Sequence, residues 1–373
     1  MGRIRVCELI TELAPAGAER CVYELARRLD PARFEVHVAA LRGGAVAEKL
    51  REAGLGVHVI GLRGKWDLPR LVRLPRLLRR IAPDLLHTHL FHADLAGRPA
   101  ARLAGVPHVV HTVHVVELRF RPWRFAWARL AAGLCERIVC VSQAVRDQHA
   151  RRTGLPASGY EVIPNGIDAA RYARDEAARS RLRRRWGVGP DEPLAAFVGR
   201  LHEQKGVDTL LAAMDLLTER GEGLPLVIAG DGPQRGLVEA SAAVRSGRAR
   251  FLGRVDDVPA VLSAADLLAM PSRWEGLPLT AVEAMAAGLP VVAARAPGLT
   301  EVVTAEVGLL VEPDDPSALA AAMLRLARDA ELRARLGETG VLRARTLFDV
   351  DRNVRAHERL YEALCAEPPH AHT

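Results

Sequence analysis

The sequence predicts an α/β protein made of two doubly wound parallel sheets that follow one another along the chain. Three observations carry that expectation. Short apolar runs alternate with amphipathic helical patterns. The alternation breaks once, in a charged stretch near residue 170, and then starts afresh. Finally, 373 residues are too many for one ordinary core and suit two domains of roughly 150 to 180 residues each.

The first strand is "IRVCELI". A glycine-containing loop leads into "AERCVYELARRLD", where Ala18, Val22, Leu25 and Leu29 fall on one helical face, completing a βα unit. Later strands of this half read as "FEVHVAAL", "GVHVIGL", "DLLHTHL", "HVVHTVH", "RIVCVS" and "YEVIPNG". After "VIPNGID" comes "RYARDEAARSRLRRRWGVGPDEP", polar, highly charged and closed by Gly and Pro, which reads as the break. The second series runs "LAAFVGRL", "LPLVIAGDGP", "RARFLGRV", "ADLLAMPS", "LPVVAARAPG" and "VGLLVEP". The expected domains are 1–170 and 171–348, with 349–373 forming a helix, "VDRNVRAHERLYEALCA", that returns to the first domain, plus a tail. Ligands of such sheets bind at the carboxyl ends of the strands.

Composition narrows the class. With 49% apolar, 26% charged and 4% aromatic residues, the chain fits a folded α/β protein rather than a disordered or fibrous one. No apolar run approaches the roughly 20 residues that cross a bilayer. "MGRIRVCELIT" carries charge inside a short apolar run, unlike a signal peptide, so a cytoplasmic location is expected. The five cysteines, Cys7, Cys21, Cys135, Cys140 and Cys365, are scattered and include no C-x-x-C pair, which argues against a disulfide framework or zinc knuckle. A net charge of +7 is compatible with nucleic acid, an anionic membrane or a phosphorylated small molecule. No recognised DNA- or RNA-binding module is present, so no nucleic-acid partner is expected.

The chemistry concentrates in the second half. In "VGRLHEQKGVD", Arg200 follows the glycine that ends a buried strand and Lys205 precedes a helical pattern. Two cations beside a strand end and exposed helix N–H groups suit an anion. Gly230, Asp231 and Gly232 form a turn that tolerates close backbone approach, and Gly253, Arg254 and Val255 can offer backbone groups to a planar base. In "MPSRWEGLPLTAVEAMAAGLPVV", Glu275 lies in a loop, Pro278 stands near the helix start and Glu283 in its first turns. Carboxylates repel a diphosphate but accept hydrogen bonds from hydroxyls. A helix start that holds phosphates, with Glu283 on ribose and Glu275 on sugar hydroxyls, accounts for both.

In order and spacing, "GRLHEQKGVDTLL", "AGDGP", "FLGRV", "PSRWEGLPLTAVEAMAAGLPVVA" and "GLLVEPDDPSALAAAM" resemble the donor half of retaining GT-B glycosyltransferases, family 4. Glu275 and Glu283 match its E-x7-E pair. "GAERCVYELARRL", "HTHLFHA", "HTVH", "CVSQAVRD" and "VIPNGID" extend the resemblance over nearly the whole chain. It implies two Rossmann-like domains facing across a cleft, an N-terminal acceptor domain and a C-terminal donor domain. The implied reaction moves a hexose-type sugar, with retention, from a UDP- or GDP-sugar to a hydroxyl of a glycan or lipid-linked saccharide in cell-surface polysaccharide or glycolipid synthesis. The donor is a substrate, and neither cofactor nor metal is expected: Arg200 and Lys205 would neutralise the leaving diphosphate, and no aspartate-rich D-x-D segment is present. The leaving phosphate oxygen would take the acceptor's proton, so Glu275 is cast as positioning and charge-stabilising rather than nucleophilic. The implied catalytic set is Arg200, Lys205, Glu275 and His114. The implied donor-binding set is Gly199, Gly230, Arg254, Val255, Gly276, Leu277, Pro278, Leu279, Thr280 and Glu283. A nucleotide-sugar epimerase of related fold and a non-catalytic sugar-nucleotide-binding protein are the alternatives.

The first half is rich in histidine. His87 and His89 share a strand face, as metal ligands do, but without a carboxylate or cysteine cluster nearby no metal site is expected. The resemblance puts a histidine of "HTVH" near the transferring sugar, with His114 the first choice and His111 the second. In "LAPAGAERC", Ala16 stands where the family has the first of paired glycines and Gly17 where it has the second. Gly17 is therefore the acceptor or phosphate loop residue, while a Cβ at Ala16 hinders left-handed geometry. "LPRLVRLPRLLRRIAP" and "RFRPWRFAWARL" interleave apolar and basic residues and suit peripheral contact with the inner face of an anionic membrane.

Overall fold

The computed structural model describes residues 2–64, 67–116, 118, 119 and 121–367. It comprises two units, residues 2–166 with 350–367, and residues 167–349. The tail 368–373 and Phe120 of the second basic segment lie outside the described residues.

The first unit holds a seven-stranded sheet formed by β1 (Ile4–Glu12), β2 (Phe34–Arg42), β3 (Gly56–Val59), β4 (Leu85–His89), β5 (His108–Val113), β6 (Arg137–Cys140) and β7 (Tyr160–Val162). Its order is β3-β2-β1-β4-β5-β6-β7 and each adjacent pair is parallel. The chain winds outward from β1 to one side and from β4 to the other, which makes β1/β4 the switch point. On one face Cys7, Leu9, Leu86 and Val109 pack under the helices Arg73–Ile81 and Phe91–Ala104. On the other, Val6, Leu85, Val110 and Val139 pack against Val350, Val354, Leu360, Tyr361 and Leu364 of the helix Val350–Ala366. Alternation along each strand separates these two sets.

The second unit holds a six-stranded sheet of β8 (Ala195–Val198), β9 (Leu226–Ala229), β10 (Ala249–Gly253), β11 (Leu267–Met270), β12 (Val291–Ala294) and β13 (Gly308–Val311). The order β10-β9-β8-β11-β12-β13 puts the switch point between β8 and β11. Residues of β8, β9, β11 and β12 have helices on both sides and read as continuous apolar runs.

The charged stretch read as a break is instead largely structured. Asp175 caps the helix Glu176–Trp186 through the backbone N–H groups of Ala177 and Ala178. Arg179 and Arg183 both reach Asp266, at 2.8 and 3.0 Å, and donate to the carbonyl of Ala264 at the end of the helix Val258–Ala264. Side-chain charge reads as solvated in a sequence, whereas here two guanidinium groups satisfy one carboxylate and the orphan carbonyls of a helix end. The unit boundary at 166/167 lies a few residues before the expected one.

Candidate active site

In the second unit the loops after β8 and β11 flank the switch point. Gly199 and Arg200 follow β8, and a short turn Glu203–Lys205 leads through Gly206 into the helix Val207–Glu219. After β11, residues 271–278 run into the helix Leu279–Ala286, with extended Pro278 at its cap. Lys205 Nζ lies 2.6 Å from Glu275 Oε1, while Gln204 Nε2 donates to the carbonyl of Trp274 at 2.9 Å. Arg273 ties the loops further: its guanidinium pairs with both oxygens of Asp208 at 3.0 and 2.7 Å, with Asp314 at 2.7 Å and with the carbonyl of Glu203. A bidentate guanidinium–carboxylate pair fixes orientation as well as distance. Arg273 stands inside the quoted "PSRWEG" yet was given no role by sequence; only the fold brings Asp208 and Asp314 to it.

Glu275 is buried, its N–H donates to the carbonyl of Pro297 at 3.0 Å, and Gly298 crosses beneath at φ +80°. A Cβ on Gly298 would stand 2.6 Å from the carbonyl oxygens of Glu275 and Gly276, so this crossing requires glycine. Glu283 is also buried and accepts a hydrogen bond from Tyr172 Oη at 3.1 Å. It falls at the fifth residue of its helix, beyond the first turn, so its carboxylate is placed by position on the buried face rather than by the helix terminus.

The remaining donor-half residues gather along the same sheet edge. Gly276, Leu277 and Pro278 are buried in the loop, and Leu279 and Thr280 open the helix, half-buried. Arg200 and Arg254 are exposed. Gly230 approaches its own sheet: a Cβ there would lie 1.8 Å from the carbonyl oxygen of Gly199, and its N–H donates to Gly253 at 2.7 Å. The need for glycine at this turn is thus internal. Val255 lines a cavity of ≈ 490 Å³ with Arg181, Trp186, Arg250 and Phe251.

The first unit's switch point is polar. Glu8 of β1, His87 and His89 of β4, and Thr112 of β5 point to one face; His114, just past β5, follows the same alternation. His89 Nε2 lies 2.7 Å from Glu8 Oε2, and His89 Nδ1 lies 3.0 Å from His114 Nε2. Tyr361 Oη donates to Glu8 Oε1 at 2.9 Å, and His87 lies 2.6 Å from Tyr361 Oη through Nδ1 and 2.7 Å from Thr112 Oγ1 through Nε2. Burial pushes the Glu8 carboxyl up, but the charge and hydrogen bonds of His87 and His89 outweigh it and hold the group well below the usual carboxylate range. Burial pushes His89 down to about 4 and His114 well below its ordinary value.

Two expectations are corrected here. A carboxylate does stand beside His87 and His89: Glu8, almost eighty residues earlier, reaches them because β1 pairs with β4. The three residues group their ligand atoms within 4.8 Å, yet each of those atoms already hydrogen bonds to a neighbour in the network. The second correction separates the two candidate histidines. His111 faces the opposite side of the sheet, where its Nδ1 lies 3.0 Å from Thr88 Oγ1 and 3.3 Å from Asp94 Oδ1, and Asp94 pairs with the buried Arg98 at 2.6 Å. That leaves His114 on the face with Glu8. Leu90, next to His89, has φ +68° and ψ 153°, a conformation costly for a residue with a Cβ.

Ala16 is extended, at φ −134° and ψ −179°, so the Cβ where the resemblance expects glycine meets no left-handed requirement. Gly17 is exposed and begins the helix Gly17–Arg28. Two residues on, Glu19 is buried and desolvation raises its carboxyl to about 7.

Of the basic segments, the first gives Leu74, Leu77, Leu78 and Ile81 to the core, while Arg73, Arg76 and Arg80 remain outside together with Val72, which is 50% exposed. The helix Pro122–Leu130 buries Phe125 and Ala128 but leaves Trp123 48% and Leu130 83% exposed, beside Arg121 and Arg129. Among the described residues no helix is long and apolar enough to cross a membrane.

Two parallel sheets wound in this way give the GT-B fold, and the family matches make the protein a glycosyltransferase. The chain belongs to glycosyltransferase family 4: the model of Glycosyltransferase Family 4 matches residues 15–171 and that of Glycosyl transferases group 1 matches 178–343. It is 35% identical to a 2-deoxystreptamine glucosyltransferase of Streptomyces kanamyceticus over 74% of this chain and 78% of that one. It is 30% identical to a UDP-Gal:alpha-D-GlcNAc-diphosphoundecaprenol alpha-1,3-galactosyltransferase of Escherichia coli, over 85% and 86% of the two chains. The structure of HepE from Anabaena in complex with UDP-glucose superposes with a TM-score of 0.86 at 25% identity, over 97% of this chain and 100% of that chain.

Proposed function

We propose that this glycosyltransferase moves a hexose from a UDP- or GDP-sugar to a hydroxyl of a glycan or lipid-linked saccharide, with retention and without a metal ion. The observation that carries the proposal is the Lys205–Glu275 pair at the β8/β11 switch point, beside exposed Arg200 and the start of the helix Leu279–Ala286. Arg200, Lys205 and the helix N–H groups supply positive potential for a diphosphate, the task a cation performs elsewhere. Glu283 serves ribose hydroxyls and Glu275 serves those of the sugar. The bond from anomeric carbon to phosphate oxygen breaks while the acceptor oxygen bonds to that carbon from the same face. The acceptor's proton passes to the leaving phosphate oxygen. The UDP-glucose held by HepE and the UDP-Gal in the Escherichia coli relative's name support a uridine donor.

For the acceptor, exposed Trp123 and Leu130 flanked by arginines favour a saccharide on a lipid carrier, reached at a membrane's inner face. The Streptomyces relative, named for an aminocyclitol, favours a small soluble acceptor instead. A thermal-shift panel of UDP, GDP, ADP and dTDP, with and without magnesium, tests the donor half on wild type, Lys205→Ala and Glu283→Ala. The reading requires stabilisation by one diphosphate, independent of magnesium and weakened in both variants. A shift that appears only with magnesium removes the metal-free part, and no shift with any nucleotide removes the donor site. Transfer from the preferred donor to a lipid-linked disaccharide or to 2-deoxystreptamine then separates the acceptors.

A further inference from the structure

The network at the β1/β4 switch point leaves one ring nitrogen with no hydrogen-bond partner among the described residues, His114 Nδ1, and solvent does not reach it. Which nitrogen of His114 carries the proton follows from its neighbours. An ionised carboxylate only accepts hydrogen bonds, so Tyr361 Oη, at 2.9 Å, and His89 Nε2, at 2.7 Å, must both donate to Glu8. With its one hydroxyl proton committed, Tyr361 accepts from His87 Nδ1, and His87 Nε2 accepts from Thr112 Oγ1. With its one ring proton on Nε2, neutral His89 offers only a lone pair at Nδ1. The proton in the 3.0 Å contact between the two rings therefore sits on His114 Nε2. His114 Nδ1 is left bare.

We propose that Glu8, acting through His89, is a positioning residue that holds His114 as its Nε2–H tautomer and so presents Nδ1 as an acceptor for a sugar hydroxyl. The chain Glu8–His89–His114 is a two-bond relay: it moves no proton in the reaction but decides which end of the last imidazole accepts. A buried acceptor without a partner favours any donor that can be brought to it, and a hydroxyl of the sugar is such a donor once the side chains that close Nδ1 from solvent give way. That last step rests on the proposed transfer of sugar; the tautomer assignment does not. Leu90, strained beside His89, fits a segment held for the placement of that ring. Reversal of the relay, with Nδ1–H on His114, would need either a protonated Glu8 or a doubly protonated His89, and burial opposes the second.

The test reads the tautomer directly. The full-length protein, labelled with ¹⁵N only in histidine, gives long-range ¹H–¹⁵N correlation spectra in which the two tautomers have different patterns, and His114→Gln assigns the signals. The wild type should show His114 protonated at Nε2 alone. In Glu8→Gln the carboxamide can donate to His89 Nε2, which turns the relay round, so His114 should gain the Nδ1–H form. His89→Gln keeps a donor for Glu8 but cuts the contact with His114, and should give a mixed tautomer; it serves if Glu8→Gln does not fold. Tyr361→Phe removes a different bond to Glu8 and should leave the tautomer unchanged, although it loosens the last helix.

With the preferred donor and acceptor, Glu8→Gln should lose about tenfold in kcat, the worth of one hydrogen bond, with donor KM unchanged. An Nδ1–H signal on His114 in the wild type overturns the relay. So does an unchanged His114 pattern in both folded variants, which would leave Glu8 a purely structural group. If the wild type transfers no sugar, the function proposed above falls while the spectra still decide the relay.

Discussion

Lys205 Nζ and Glu275 Oε1 lie 2.6 Å apart, so the cation assigned to the diphosphate and the carboxylate assigned to the sugar form one ion pair over the β8/β11 switch point. Each keeps the other's geometry: Lys205 draws Glu275 toward the loop after β8, and Glu275 holds the ammonium group half-buried at the switch point. The two should therefore act as a unit. On the proposed role, Lys205→Ala removes a charge stabiliser of the leaving group, and it leaves the buried Glu275 carboxylate with Gln204, at 3.5 Å, as its side-chain partner among the described residues. It should lower kcat by roughly 10²-fold or more. Glu275→Gln should cost less. The double variant should be less impaired than the sum of the singles, by about 1 kcal/mol or more in a kinetic cycle. Strict additivity would show that the pair is incidental to turnover.

Gly298→Ala tests the loop without touching a functional side chain. Its Cβ would lie 2.6 Å from the carbonyl oxygens of Glu275 and Gly276 at φ +80°, so the loop must move. A loss of about 1–3 kcal/mol in stability is expected, together with loss of the thermal shift given by the preferred diphosphate. Retention of that shift at full size would place the nucleotide elsewhere.

The pH dependence of stability follows from buried groups of the first unit. Burial pushes His89, His149 and His357 down to about 4 and His111 to about 3, so they stay neutral in the fold while the unfolded chain takes up protons below about 6.5. Between pH 6.5 and 4, acidification through these groups favours unfolding. Glu19 works the other way. Raised to about 7, it is protonated in the fold where the unfolded carboxyl is charged, and stabilises increasingly as pH falls from about 7 to 4.5. Four histidines outweigh one glutamate, because each is displaced at least as far from its ordinary value as Glu19 is. Amide exchange in β4 and β5 should therefore quicken from pH 6.5 to 4 after correction for the intrinsic rate. Glu19→Gln should steepen the loss. A flat profile would show that the histidines reach water.

Exposed Trp123 and Leu130 make a membrane prediction. The wild type should cosediment with vesicles containing phosphatidylglycerol and much less with phosphatidylcholine alone, and Trp123→Ser with Leu130→Ser should reduce that binding about tenfold or more, because both apolar side chains are lost. Equal sedimentation of wild type and variant would leave only the arginines to explain attraction to the anionic surface.

Tyr172→Phe isolates Glu283. Removing the hydroxyl that donates to Oε1 at 3.1 Å should weaken the shift given by the preferred diphosphate modestly, and cost about 1 kcal/mol of stability. An effect as large as that of Glu283→Ala would mean that Tyr172 itself touches the nucleotide.

Much of the architecture was legible because parallel strands buried on both faces are continuous apolar runs, and each run quoted from the sequence marks one strand of the structure, β1 and β2 extending one or two residues beyond theirs. Glu275 and Glu283 were visible because carboxylates are conspicuous in an apolar strand–loop–helix. What sequence reading missed was pairing at a distance. Glu8 looks like a lone charge in an apolar strand until β1 lies beside β4, and Tyr361 looks like an ordinary aromatic until its helix covers that face. The charged stretch holding Arg179 and Arg183 was read as a break since their partner Asp266 is over eighty residues away. A carboxylate flanked by Val6, Cys7, Leu9 and Ile10 in the middle of a strand was the available signal for Glu8.

The bond between Glu8 and Tyr361 joins positions 353 residues apart and crosses an entire folded unit in the sequence. During synthesis, β1 through β7 leave the ribosome with the part of one sheet face around Leu85, Val110 and Val139 bare, and residues 167–349 must follow before the helix Val350–Ala366 can cover it. The second unit is contiguous and can close as soon as it is made. The usual order, in which N-terminal domains finish first, is thus inverted, and the newborn first unit carries an uncovered carboxylate and an apolar face that chaperones are equipped to recognise.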